Sequence, residues 1–185
     1  MKEKIEEISL SAERGHRRIL RVLSVLAVIG LFAALWKWRG LAALEPIVEG
    51  GQRRWLLAIG ESIAVSLAAQ WVLYLLPWPL LALFGRTTPF CSIFARRPCV
   101  GSNAELGRAA VLAVRLLPPV LVGAALWFAL ARVPLVWFWP VAMASAGCTV
   151  AALGMVYDAV RVLQVPGRAT FCDLGIVIQV YREVS

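Results

Sequence analysis

Apolar residues in this chain cluster in three long runs rather than alternating with polar ones: Ile19–Trp36, Trp55–Phe84 and Ala109–Tyr157. A bilayer core of about 30 Å takes about 20 helical residues to cross. The third run is interrupted near Arg132–Pro134, so it holds two spans, Ala109–Ala131 and Pro134–Tyr157. The pattern therefore predicts an all-α membrane protein with four transmembrane helices. Within the second run, Pro77 and Pro79 each remove a backbone donor, so a kink or break is expected there. Trp55–Leu76 is expected to cross, and Pro77–Phe84 to bend along the interface. Gly50-Gly51 should break the loop between the first two spans, which is expected from about Trp38 to Arg54. Leu41–Val48 within it is apolar and suits the outer surface.

Around the spans the pattern changes. Residues 2–14 set Ile5, Ile8 and Leu10 among charges, which fits a short amphipathic surface helix or a solvated, frayed tail. Residues 1–17 are read as an N-terminal segment, 18–160 as the membrane domain with its loop 85–108, and 161–185 as a C-terminal tail. In that tail, Leu174–Tyr181 is rich in β-branched residues and too short to span, so it predicts a strand. Ser92–Arg96 is its expected partner in a small cytoplasmic β-ribbon.

Composition supports this division. Hydrophobic residues make up 61% of the chain, above the 45–50% or so typical of soluble domains. Basic residues are unevenly spread. Lys2, Lys4, Arg14, Arg17, Arg18, Arg21, Arg86, Arg96, Arg97, Arg108, Arg161, Arg168 and Arg182 fall on the side of the termini. Lys37, Arg39, Arg53, Arg54 and Arg132 fall on the other. The basic excess belongs in the cytoplasm, so a multi-pass protein of the cell (inner) membrane with both termini cytoplasmic is expected. The net charge of +8 then faces anionic headgroups, and no nucleic-acid partner is expected. The long charged lead and the Lys37-Trp38-Arg39 flank mark the first run as an uncleaved span rather than a signal peptide.

Catalytic chemistry is not signalled. Cys91, Cys99, Cys148 and Cys172 form no CxxC and no cluster with His16, the single histidine. No metal or cofactor is therefore expected. There is no Walker loop, no H-E-x-x-H and no nucleophile–base pair, and the chain reads as a non-enzyme.

Several charged and small residues stand out. Glu61 in the second span must pair, be protonated or face protein; it is either a transport carboxylate or the partner of Arg53 or Arg54. Arg115, two turns into the third span, reaches a phosphate headgroup, snorkels to the interface, or pairs with Asp158 at the end of the fourth. Ala144, Gly147 and Ala151 share one helix face, where small residues let another helix approach.

The order of these parts resembles the RDD family of small membrane proteins. The carrying motifs are Gly15-His16-Arg17-Arg18-Ile19-Leu20, Gly85-Arg86-Thr87 followed by Ser92–Arg97, Gly101–Arg108, and Gly167–Ile178 with Asp173. The likeness runs from about Gly15 to Tyr181. It implies that Arg17, Arg18, Arg86 and Asp173 share one cytoplasmic face, with Asp173 tied to one of these arginines. Arg17, Arg18, Asp158 and Asp173 all fall in the inner half or cytoplasm, where they are expected to clamp the N-terminus onto the ribbon. Two features depart from the family. The first-span Asp is absent near Ser24–Val25, and Pro89-Phe90 stands where the family has Gly-Lys. The resemblance implies transport of an ion or small solute. The residues themselves favour an accessory or structural subunit packed against partner subunits in a larger membrane complex.

Overall fold

The computed structural model describes residues 2–8, 14–84, 90–92, 99–102, 104–165, 169–174 and 177–183. It is mostly helical. The first long element is α1, Arg14–Leu35, continued by a π-helical turn at Trp36–Gly40 and by α2, Leu41–Glu49. Next come α3, Gly51–Leu75, and α4, Pro77–Phe84. They are followed by α5, Arg108–Arg132, and α6, Leu135–Gln164. Four helical segments are long and apolar enough to cross a membrane: Arg18–Glu49, Gly51–Leu83, Arg108–Arg132 and Leu135–Gln164.

Two breaks fall where the backbone chemistry places them. Gly51 takes a φ of +65°, a left-handed conformation that glycine adopts without steric cost, and it separates α2 from α3. Leu76 interrupts the helix immediately before Pro77, in line with the bias of a pre-proline residue away from helix. The expected loop of about Trp38–Arg54 is largely helical instead. The π turn carries the chain from α1 directly into α2, with Ala43 and Ile47 buried. The last helix also outruns the expected end at Tyr157. Ala159 and Val162 are buried while Val160 and Leu163 are exposed, so its final turns continue as an amphipathic helix.

The chain divides into two compact units. One comprises Met1–Leu20, Leu73–Pro118 and Leu153–Ser185. Its strands are β1, Lys2–Ile8; β2, Phe90–Ser92; β3, Cys99–Gly101; β4, Thr170–Asp173; and β5, Ile178–Glu183. They form an antiparallel sheet in the order β1-β5-β4 and a separate β2-β3 pair. Of the expected partner Ser92–Arg96 only Ser92 is described, and it pairs with Cys99 rather than with the tail; residues 93–96 lie outside the described residues. β5 pairs with β4, the nearest segment along the chain, where loop closure costs least, and Phe90–Ser92 pairs with Cys99–Gly101.

Residues 2–8 form neither a helix nor a frayed tail but the strand β1. The Ile5/Ile8 spacing of three looks helical. A register shift between Lys4 and Glu6 absorbs it, since a β-bulge resets the inside–outside alternation. Ile8 then pairs with Ile178 and is only 2% exposed. The core of this unit joins Ile8, Leu81, Leu106, Val111, Val114, Val162, Phe171, Ile178 and Val180.

The other unit comprises Arg21–Val72 and Pro119–Ala152. Its core holds Leu35, Ala43, Leu130, Phe138, Val141 and Ala142. Aromatic rings cluster beside it. Trp38 stacks on Trp127 at 5.8 Å, and Trp139 lies edge-on to Phe138 at 5.6 Å. Gly40 admits Trp139, whose ring would lie 3.2 Å from a Cβ at that position. Arg39 donates to the Leu130 carbonyl at 3.1 Å, satisfying an acceptor in the last turn of α5, where carbonyls lack helical partners.

Candidate functional site: a buried Arg–Asp–Asp cluster and a paired carboxylate

In the first unit, three charged side chains meet. Arg115 on α5 stands 2.5 Å from Asp173 at the end of β4 and 3.5 Å from Asp158 on α6. The Asp173 side chain is 1% exposed, and that of Arg115 11%. Charges so deeply buried persist only when paired. The fold positions each partner by local bonds. Ser102 donates its backbone N–H to the Asp173 carbonyl at 2.7 Å, and Leu106 and Phe171 exchange backbone bonds at 2.8 and 3.0 Å. The segment after β3 thus runs along β4 and holds Asp173 in place. A Cβ on Gly101 would fall 2.6 Å from the Leu174 carbonyl carbon, so glycine is what lets this segment pass so closely. Arg108, at the head of α5, donates to the Val165 carbonyl at 2.6 Å.

The resemblance pairs Asp173 with Arg17, Arg18 or Arg86; among the described residues it pairs with Arg115. Arg18 is exposed. The side chain of Arg17 and the whole of Arg86 lie outside the described residues. The N-terminal segment is tied to the C-terminal strands by the β1–β5 ladder. No sequence motif joins Arg115 to Asp173. The one signal in the sequence is an arginine two turns inside an apolar helix, which needs an acid.

Cys172 neighbours this cluster, and its Sγ donates to the Ser102 carbonyl at 3.3 Å. Burial, with added repulsion from the Asp173 and Glu105 carboxylates, pushes its thiol pKa up.

In the second unit, Glu61 meets Arg54 through two parallel bonds of 3.1 and 3.2 Å. Both side chains are about one-fifth exposed, at 22% and 19%. Two-point guanidinium–carboxylate contact is the strongest geometry open to such a pair. The small-residue face of α6 meets another helix of the same chain. Ala144 is fully buried, and a Cβ at Gly147 would fall 2.7 Å from Nε2 of Gln70 on α3. Ala151 is half-buried on that face. Among the described residues, no group of His, Cys, Asp and Glu is arranged to hold a metal ion.

No family model, curated protein or solved structure matches this chain.

Proposed function

We propose that the protein is a non-enzymatic, multi-pass protein of the cell membrane. In this reading it acts as an accessory or structural subunit of a larger membrane complex, with both termini in the cytoplasm. The pairing of Glu61, the carboxylate placed within a span, carries the proposal. Arg54 holds it through two parallel bonds. An acid matched one-to-one by a guanidinium is poorly suited to bind and release a cation, whereas a transport site needs an ionisable group free to change partner. Lipid and partner helices would cover the apolar surface of α1, where Ile19, Val22, Val25, Leu26 and Ile29 are each more than half exposed.

RDD-like transport of an ion or small solute is the second reading. It rests on the motif resemblance and on Glu61 as its carboxylate. Ion and proton flux in liposomes, compared between the wild type and Glu61→Gln, separates the two. Absence of flux with a stoichiometric membrane partner co-purifying in mild detergent supports the accessory role. Robust flux abolished by Glu61→Gln rejects it.

A further inference from the structure

Within the second unit, the π turn after α1, the end of α5 and the start of α6 meet in a group of aromatic and basic side chains. Trp38 stacks on Trp127 at 5.8 Å and lies edge-on to Phe138 at 6.4 Å. Trp36 tilts against Trp139 at 5.8 Å. Trp36, Trp38 and Trp127 stay exposed. Tryptophan at the end of a membrane-crossing helix sits at headgroup level, because the indole joins an apolar body to a polar N–H.

Two arginines stand among these rings. The Leu130 carbonyl would ordinarily accept from the N–H of residue 134, but Pro134 has none. Arg39 fills the gap with one N–H at 3.1 Å and keeps its other donors. Its guanidinium lies 5.9 Å from the centre of the Phe138 ring, and the side chain is half-buried. Just beyond Leu130, Arg132 stands 4.7 Å over the Phe128 ring and is exposed. Among the described residues no carboxylate pairs with either arginine. Arg54 and Arg115, in contrast, each hold an acid. A cation partly stripped of water calls for a counter-charge, and a guanidinium offers phosphate a planar, two-point contact.

We propose that Arg39 and Arg132 bind the phosphate of an anionic phospholipid, with the exposed faces of Trp38 and Trp127 against the lipid. An anionic headgroup fits better than a zwitterionic one, whose ammonium would meet like charge and no carboxylate. The proposal rests on the membrane-spanning reading of the helices, but not on the choice between an accessory role and transport.

The full chain is reconstituted in vesicles of mixed phosphatidylglycerol and phosphatidylcholine and floated on a density gradient. It is then extracted in mild detergent, and native mass spectrometry counts the lipids retained. The wild type should keep a phosphatidylglycerol molecule that the Arg39→Gln/Arg132→Gln double variant loses, with no difference in phosphatidylcholine. Taking the difference isolates this site from basic residues elsewhere on the chain. Arg53→Gln, which removes another exposed cation of the same unit, should retain as much lipid as the wild type. Arg39→Gln also removes the bond to Leu130, so the exposed Arg132 supplies a milder variant. Arg132→Gln alone should need about tenfold more phosphatidylglycerol to fill the site, as expected for one lost charge-assisted contact. Unchanged retention in the double variant, with unchanged affinity in Arg132→Gln, would overturn the proposal if the protein floats with the vesicles. The same loss in Arg53→Gln would reduce the effect to bulk charge and overturn it equally. Protein that does not float would overturn the membrane reading and the proposal with it.

Discussion

At the scale of single residues, the decisive contact is Arg115 with Asp173. Asp173→Ala removes the 2.5 Å partner of the buried Arg115 guanidinium and leaves Asp158 at 3.5 Å. Breaking a buried pair costs about 3–5 kcal/mol, and detergent melting curves should show a loss of that size. Arg18 is exposed, so Arg18→Ala should stay within roughly 0.5 kcal/mol of wild type. An unchanged melting temperature for Asp173→Ala would mean that the cluster contributes nothing to stability. Cys172 supplies a second residue-level expectation. Its thiol pKa is raised by burial and by its acidic neighbours, so the reactive thiolate is scarce near neutral pH. Alkylation of Cys172 by iodoacetamide at pH 8 should be slow in the folded protein and rapid after denaturation, as read by peptide mass spectrometry. Equal rates in both states would place Cys172 outside the packed sheet.

At the scale of elements, β1 is the most informative. It adds a third strand to the β4–β5 pair and inserts Ile8 into the core at 2% exposure. Truncating a buried Ile to Ala typically costs about 2–5 kcal/mol, so Ile8→Ala should lower the melting temperature measurably. A segment merely frayed or resting on a membrane surface would show almost no effect in detergent. The same scale redirects the small-residue face of α6. Gly147 lies against Gln70 of its own chain, so Gly147→Leu should disturb the fold of the single chain rather than only its association with a partner. Size-exclusion chromatography and melting of the purified variant measure both.

At the scale of the whole molecule, the sidedness of the basic residues gives the governing expectation. A cysteine placed at Gly51 should react with an impermeant thiol reagent added outside intact cells, and one placed at Ser185 should not. The cytoplasmic excess of Lys and Arg predicts this outcome. Labelling of the Ser185 position from outside would reverse the orientation proposed for the chain.

Much of this architecture is legible in the amino-acid sequence. Long apolar runs predict helices because a span must bond every backbone group within itself. That logic anticipates four long helices, the break at Gly50-Gly51 and the interruption before Pro77. Glu61 and Arg54 are also readable as a pair, because they lie two turns apart on one helix. Long-range choices are not readable in this way. β1 is hidden because a bulge at Ile5 breaks the alternation that marks a strand. The β4–β5 pairing escapes because short β-branched segments carry little information about register. The Arg115–Asp173 contact joins positions 58 residues apart, with no motif between them. The sequence by itself determined which segments are apolar enough to span and where backbone chemistry interrupts them, since these depend on neighbours along the chain. Only the tertiary structure decided which strand pairs with which, which arginine meets Asp173, and what the small face of α6 packs against. Those outcomes depend on burial, and burial is a property of the packed molecule.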